Sequence, residues 1–175
     1  MIVCVDVDYR EGLGGQTTSA VAAAVLFASW SAAYADAEHT RTIEEVAAYV
    51  PGQFYRRELP CLLALLAELD ERSELGPIVI DGYVYLDEHD KPGLGRYLYD
   101  ALERRIPIIG VAKTPFRANK AAREVLRGTS RQPLYVTAVG VDPELAARNV
   151  QGMHGRFRFP TMLKRVDRLC RDTLL

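Results

Sequence analysis

Residues 2–9 read IVCVDVDY, a short run of β-branched and apolar residues with an aspartate at position 6. The glycine-rich stretch EGLGG at 11–15 follows, so the pattern predicts a strand that ends in a turn. Residues 17–30 and 32–43 predict two further strands in an antiparallel meander with the first, although the alanines of 17–30 also suit helical periodicity. Because a carboxylate inside an apolar strand is costly without a partner, Asp6 is the first candidate functional residue.

The rest of the chain alternates strands with helices. Apolar residues at helical spacing predict four helices, at 53–72, 94–105, 143–150 and 160–175. Short apolar runs predict three more strands, at 77–81, 106–113 and 134–141. Pro60 stands early enough in the first helix to start or kink it, and Tyr49–Gly52 predicts a turn. We therefore expect one α/β domain over 1–175, in which helices flank a mixed sheet: an antiparallel meander followed by parallel strands.

Composition excludes several classes of protein. The chain has 175 residues, of which 49% are hydrophobic and 26% charged, as in ordinary globular domains. It contains no apolar run long enough for a membrane helix, and its first residues do not resemble a signal peptide. Cys4, Cys61 and Cys170 lack metal-ligand spacing, and His39 and His89 have no zinc partner spacing. We expect buried thiols and a cytoplasmic protein.

Charge is divided unevenly along the sequence. Residues 1–90 hold five Lys and Arg against 16 Asp and Glu, whereas residues 91–175 hold 17 against seven. An acidic half that holds cations and a basic half that holds a polyanion would suit a nuclease. A split without functional meaning, in which the charges merely solvate helix faces, is the alternative.

Four carboxylates, Asp6, Glu58, Asp81 and Asp167, are candidates for a shared site. Asp81 ends an apolar strand directly before Gly82, and Glu58 opens a predicted helix. Taken singly, each is better explained by a structural role, as a strand-end cap, a helix-dipole partner or a surface ion pair, than by catalysis. Carboxylates at the ends of neighbouring strands can converge, however, and hard oxygen ligands suit Mg²⁺, with Mn²⁺ as a substitute.

Cations form two clusters in the second half. The first holds Lys113, Arg117, Lys120, Arg123, Arg127 and Arg131, and the second holds Arg148, Arg156, Arg158, Lys164, Arg165, Arg168 and Arg171. Such residues can bind phosphates without reading sequence. For Lys113, which directly follows an apolar strand, we favour a functional role. For Arg168 and Arg171 we favour a solvated helix face.

Four ordered segments resemble landmarks of the endonuclease V family. They are VDVDY at 5–9, YVPGQFYRRELP at 49–60, IVIDG at 78–82 and IPIIGVAK at 106–113. The similarity continues through LYVTAVGVD at 134–142 to FPTMLKRVD at 159–167, and so covers nearly the whole chain. The resemblance implies a ribonuclease-H-like fold and cleavage of a phosphodiester near inosine in DNA or RNA. It also implies 3′-hydroxyl and 5′-phosphate products.

The resemblance also assigns roles to residues. Asp6, Glu58 and Asp81 match the metal carboxylates, and Asp167 aligns with a C-terminal Asp or His position. Lys113 matches the lysine of the GVAK strand, near the scissile phosphate, and Tyr49 matches an aromatic wedge beside the deaminated base. Candidate substrate-binding residues are Tyr49, Gly52, Gly82, Tyr83, Arg117 and Lys120. The chain departs from the family pattern at Tyr83 and Val84, which replace a His-Gly pair, so base recognition is where we expect it to differ.

Two alternatives remain at this point. The Asp-x-Asp of VDVDY followed by a later lysine resembles phosphatases of the haloacid dehalogenase type, in which the first Asp attacks phosphorus. Those enzymes need a downstream acidic pair that this sequence lacks after Lys113. The second alternative is a catalytically silent member of the endonuclease V family that binds nucleic acid without cutting it.

Overall fold

The computed structural model describes residues 1–11, 17–47, 50, 52–70, 75–116 and 119–173. The strands are β1 (Ile2–Glu11), β2 (Thr17–Phe27), β3 (Ala37–Ile43), β4 (Ile78–Asp81), β5 (Ile108–Ala112), β6 (Arg123–Val125) and β7 (Leu134–Val139). The helices are α1 (Tyr55–Asp70), α2 (Leu94–Ala101), α3 (Pro143–Gly152) and α4 (Thr161–Asp172). In these residues no helix is both long and apolar enough to cross a membrane.

The seven strands form one mixed sheet in the order β3-β2-β1-β4-β5-β7-β6. The antiparallel meander β1-β2-β3 and the parallel pairs β1-β4 and β4-β5 confirm the predicted fold class. The next pair, β5 and β7, is antiparallel. α1 and α2 cover one face of the sheet, whereas α3 and α4 cover the other. The central strands are buried on both faces, which explains their nearly continuous apolar sequences.

The alanine-rich segment is a strand because of where it lies. Residues Ala20–Phe27 of β2 are fully buried between β1 and β3, with α1 on one face and α4 on the other. Small side chains on both faces let the helices pack closely on the strand, and this packing outweighs the helical propensity of alanine. The third strand, predicted at 32–43, begins five residues later than expected, because Ala32–Asp36 form a turn before β3.

Two further boundaries differ from the sequence-based expectation. α2 ends at Ala101, and Glu103 and Arg104 then adopt left-handed backbone conformations that stop the helix. The three-residue strand β6 lies in the basic stretch 114–133, where no strand was predicted. It is short and charged, as edge strands usually are, and therefore leaves little pattern in the sequence. Pro60 lies inside α1, which begins five residues before it.

Arg127 is a structural residue, which corrects its assignment to the phosphate-binding cations. It is buried, with 5% of its surface exposed. Its guanidinium donates to the carbonyl oxygens of Gln151, Met153, His154, Gly155, Phe157 and Arg158. It therefore fixes the loop between α3 and α4, and its donors are used by backbone acceptors instead of a ligand.

Replacing Arg127 by methionine should destabilise the protein. The substitution keeps much of the buried volume but leaves the loop carbonyls without donors, so we expect the free energy of unfolding to fall by about 3 kcal/mol. Urea denaturation followed by circular dichroism measures this loss. Arg131→Met is the matched control, because Arg131 is exposed, and it should change stability by no more than about 0.5 kcal/mol. Equal stability of the two variants would contradict the structural role.

Candidate metal and nucleic-acid site

Asp6 and Asp81 stand side by side where the parallel pairing of two strands ends. The register of β1 and β4 pairs Val5 with Ile80, and each aspartate is the next residue of its strand. The carboxyl edge of parallel strands is the usual place for a ligand in an open α/β sheet. The Sγ atom of Cys170 lies 3.8 Å from Oδ2 of Asp6, so Asp6 points to the face of the sheet covered by α4.

Glu58 reaches the same edge from the first turn of α1. Only 5% of its surface is exposed, and its Oε2 atom is buried without a hydrogen-bond partner among the described residues. Burial raises the pKa of Glu58 to about 8, and the nearby carboxylates of Asp6 and Asp81 add to the rise. A buried carboxyl oxygen with no donor and two acidic neighbours is energetically costly, so a functional reason for it is expected.

Asp6 is perturbed in the same way. Burial is the main reason that its pKa is raised to about 6. The N–H group of Val7, which donates to Oδ1 at 2.9 Å, opposes this rise, as does the Lys113 ammonium. The carboxylates of Asp81 and Asp167 raise the pKa further. Asp6 therefore lies within electrostatic reach of every other carboxylate in the predicted set.

Asp167 lies on α4, half-buried beside the apolar face of that helix. Its Oδ1 atom accepts a hydrogen bond from Nη2 of Arg171 at 2.8 Å. Arg10, near the end of β1, donates to the carbonyls of Cys170 and Arg171 at 2.7 and 2.9 Å. A guanidinium at the C-terminal end of a helix complements its dipole, so Arg10 holds α4 and Asp167 against the strand that carries Asp6.

Lys113, directly after β5, provides the positive charge of the site. Its Nζ atom lies 2.7 Å from Oδ2 of Asp81 and 4.5 Å from the ring centroid of Phe159. Arg158 donates to the carbonyl of Lys113 and, at 2.6 Å, to that of Pro133. The backbone and the side chain of Lys113 are thus both held by the segment that precedes α4.

The donor atoms fit a hard divalent cation. Asp6, Glu58 and Asp81 offer only oxygen ligands. The Oε2 atom of Glu58 has no hydrogen-bond partner among the described residues, so its lone pairs are free to bind a cation. In the part of the chain that the structure describes, no three His, Cys, Asp or Glu side chains form a closed ligand group as they lie. Mg²⁺ does not require one, because it keeps several waters and takes only one or two protein carboxylates together with substrate phosphates.

The loop after β4 crosses directly over β5. A side chain at Gly110 would come within 2.6 Å of the Gly82 carbonyl and 2.9 Å of the Val84 amide nitrogen. Val84 N–H donates to Oγ1 of Thr137 at 2.9 Å, which fixes the crossing. Gly82 has a φ of +143°, a conformation that other residues rarely adopt. The glycines of the DG and GVAK segments therefore allow this loop to lie over the sheet beside Asp81.

Tyr83 is held in a single position by this loop. Its hydroxyl donates to the carbonyl of Thr114 at 2.7 Å and accepts from the N–H of Phe116 at 3.1 Å. Its ring lies 6.1 Å from that of Phe116, measured between centroids. Partial burial raises the pKa of Tyr83. Tyr83, which stands where the resemblance implies a histidine, is thus a fixed part of the wall of the site.

A cavity of about 440 Å³ opens next to the carboxylates. Its lining includes the predicted residues Gly52, Glu58, Asp81, Gly82 and Tyr83. Phe54, Tyr55 and Tyr97 also line it, and the last two stack with ring centroids 4.0 Å apart. None of these three aromatic residues is among the site residues predicted from the sequence. The only signal was the aromatic pair in QFYRRE, because Tyr97 reaches the cavity from a different helix.

The remaining predicted residues divide into two groups. Tyr49 and Arg117 lie outside the described residues. Lys120 is exposed and is absent from the lining of the cavity. The three cysteines are buried free thiols, as expected.

The buried carboxyl groups should make the metal-free protein less stable as pH rises. Between the ordinary pKa near 4.5 and the folded value of about 8, Glu58 keeps its proton when folded and loses it when unfolded. The free energy of unfolding should therefore fall by on the order of 3 kcal/mol from pH 5 to pH 8, and Asp6 adds a smaller loss of the same sign. Urea denaturation in EDTA at several pH values measures this slope.

Glu58→Gln should flatten this dependence and stabilise the metal-free protein at pH 8. Glu45→Gln, which removes an exposed carboxylate, should leave the slope unchanged. A slope in Glu58→Gln as steep as that of the unmodified protein would contradict the burial argument.

Comparison with known proteins agrees with this geometry. The endonuclease V family model matches residues 1–149. Endonuclease V of Streptomyces avermitilis is 32% identical over 159 residues, which cover 79% of this chain and 67% of that protein. The crystal structure of endonuclease V from that organism superposes with a TM-score of 0.73 at 28% identity, and covers 98% of this chain and 79% of the other.

A relative with lower sequence identity has the same fold. Ciona intestinalis endonuclease V, crystallised with a 23mer DNA containing an inosine followed by a ribo-adenosine, superposes with a TM-score of 0.82 at 18% identity. The match covers 98% of this chain and 83% of that one. The mixed sheet and its flanking helices are thus the ribonuclease-H-like fold of these nucleases, and the phosphatase alternative loses its support. The chain belongs to the endonuclease V family.

Proposed function

We propose that this chain is a divalent-metal-dependent endonuclease that hydrolyses a phosphodiester near a deaminated base, inosine, in DNA or RNA. The products would be 3′-hydroxyl and 5′-phosphate ends, and the role would be nucleic-acid repair in the cytoplasm. Mg²⁺ would be the cofactor, with Mn²⁺ as a substitute. The observation that carries the proposal is the buried, unpartnered Glu58 carboxylate beside Asp6 and Asp81 at the mouth of an aromatic cavity.

Asp6, Glu58 and Asp81 would hold the metal. A bound divalent cation would supply Lewis-acid polarisation of the phosphate and activation of a water. The three carboxylates would provide the binding energy, because their mutual repulsion and desolvation are relieved when a cation is present. Asp167, which Arg171 orients, would complete or orient the acidic set.

Lys113 would act on the phosphate. Its ammonium group is held next to Asp81 by the ion pair and by the Phe159 ring. A preorganised cation at this position would stabilise the charge that develops on the phosphate oxygens during hydrolysis. Arg158 fixes the backbone of Lys113 and would therefore be a positioning residue.

The cavity would receive the base. Its aromatic walls, which include Phe54 and the stacked Tyr55, suit the flat face of a base. The Ciona relative was crystallised with inosine-containing DNA, which supports a deaminated base as the ligand. Tyr49, six residues before α1 in sequence, would fill the space that an extruded base leaves, and Gly52 and Gly82 would admit the strand near the backbone. Arg117 would contact a phosphate, as would Lys120, which lies outside the cavity.

Asp6→Asn and Asp81→Asn should each reduce cleavage by at least about 100-fold, because each removes charge from the metal-binding set. Neither should lower stability in EDTA, because each relieves repulsion within the cluster. Asp36→Asn is the matched control, since Asp36 is exposed and lies outside the cavity, and it should cut at the unmodified rate. Near-full cleavage by Asp6→Asn or Asp81→Asn would remove the metal-nuclease assignment.

A substrate panel tests the activity itself. End-labelled DNA and RNA strands that carry inosine, uracil, an abasic site or no lesion are incubated with the protein in Mg²⁺, Mn²⁺ or EDTA. We expect metal-dependent cutting beside inosine, with ends that a ligase can rejoin. Tight binding to all strands with no cutting would instead support the silent family member, and phosphate release from small monoesters would support a phosphatase.

A further inference from the structure

A groove of about 360 Å³ lies at the start of α4, and its lining includes the Phe159 ring that Lys113 contacts. We call it the aromatic–basic groove, and it is lined by Phe157, Phe159, Thr161, Lys164, Arg165 and Arg168. Phe157 is 54% exposed. The Cζ atom of Arg156 lies 5.0 Å from its ring centroid, and Nζ of Lys164 lies 4.1 Å from it.

Two of the three cations that line the groove have no acidic partner among the described residues. No Asp or Glu belongs to its lining. Arg165 is engaged by Glu38 through two hydrogen bonds of 2.6 Å. Lys164 and Arg168 are exposed, and neither forms an ion pair with an acid within the described ranges. The groove therefore presents an aromatic ring and two available cations to a ligand from solution.

The groove adjoins the candidate site through Phe159. Phe159 lines the groove and also contacts Lys113, whose ammonium group lies 2.7 Å from Asp81. The backbone of Phe157 is held because its carbonyl accepts a hydrogen bond from buried Arg127 at 3.1 Å. One residue of the groove therefore contacts the lysine of the acidic site directly.

We propose that the aromatic–basic groove is a second nucleic-acid subsite, which binds the substrate strand outside the nucleotides at the acidic site. A base stacks on Phe157, while Lys164 and Arg168 contact the flanking phosphates. An exposed ring beside unpaired cations is the combination by which proteins bind single strands without sequence preference. An acidic peptide would use the cations but has no flat group for the ring. The inference rests on the proposed function, because the ligand is that enzyme's own strand.

Binding of fluorescent single strands in EDTA tests the subsite separately from cutting. The strands carry one inosine and have lengths of 20, 10 and 5 nucleotides. Phe157→Ala should weaken binding of the longest strand by roughly 5- to 100-fold, and this loss should shrink as the strand is shortened towards the inosine. Lys164→Gln and Arg168→Gln should each lower the slope of log affinity against log salt by about 0.7.

Matched controls separate the subsite from general effects. Tyr34→Ala removes a tyrosine that is 86% exposed and lies outside the groove, and Arg104→Gln removes an exposed cation just after α2. Both should bind and cut like the unmodified protein. Urea denaturation of each groove variant checks that folding is intact.

Several results would overturn the subsite. The first is unchanged binding of the 20-nucleotide strand by all three groove variants, and the second is a loss in Phe157→Ala that is the same at every strand length. Weaker binding in the two cation variants alone would overturn base stacking on Phe157. Groove variants that lose binding to polyglutamate but not to strands would identify an acidic protein partner instead. If the unmodified protein does not cut inosine strands, the proposed function fails, whereas the binding assay still reports on the groove.

Discussion

Asp6, Glu58 and Asp81 lie close together at one edge of the sheet, where burial and repulsion between their negative charges oppose ionisation. The rest of the site depends on how the fold offsets this cost. The pKa of Glu58 is raised to about 8 and that of Asp6 to about 6, in both cases mainly by burial and further by neighbouring carboxylates. Two parallel strands in register bring Asp6 beside Asp81, and α1 brings Glu58 to the same edge. Lys113 compensates for only part of this charge through its ion pair with Asp81. A fold that keeps this arrangement gives up stability, which the proposed binding of a cation would offset.

Buried or half-buried arginines hold the backbone around this cluster. Arg127 fixes the loop before α4, Arg158 fixes the backbone of Lys113, and Arg10 fixes the C-terminal end of α4. In each case a guanidinium donates to backbone carbonyls of a loop or a helix end. The positive charge of the second half of the chain therefore serves two purposes. Part of it holds the loops, and part, such as Lys164 and Arg168, remains exposed for a polyanion.

The sequence predicted those features that a local pattern encodes. The mixed sheet, the buried cysteines, the position of Asp81 at a strand end and that of Asp6 within a strand all follow from short apolar runs and the residues that interrupt or end them. The burial of Glu58 could not be predicted, because it depends on how α1 packs on the sheet. The structural role of Arg127 in holding the loop before α4 could not be predicted either, because its acceptors are carbonyls at least 24 residues away in sequence. The aromatic cavity combines residues from α1, the β4 loop and α2, so no single motif contains it.

The loop at Tyr83 and Val84, where the resemblance implies a His-Gly pair, would determine how this cavity recognises a base under the proposed function. Gly82 N–H donates to Val111, Val84 N–H donates to Thr137, and the Tyr83 carbonyl accepts from Gly95. Since the Tyr83 hydroxyl is also engaged by backbone groups, these groups are already used within the protein and would read the edge of a base only at the cost of breaking those bonds. Under the proposed function, stacking and shape would then contribute more to recognition than hydrogen bonds from these loop groups, and they discriminate between bases less strongly than buried hydrogen bonds do. The loop at Tyr83 and Val84 would therefore favour a wider range of accepted bases while leaving the carboxylates that would hold the metal in place.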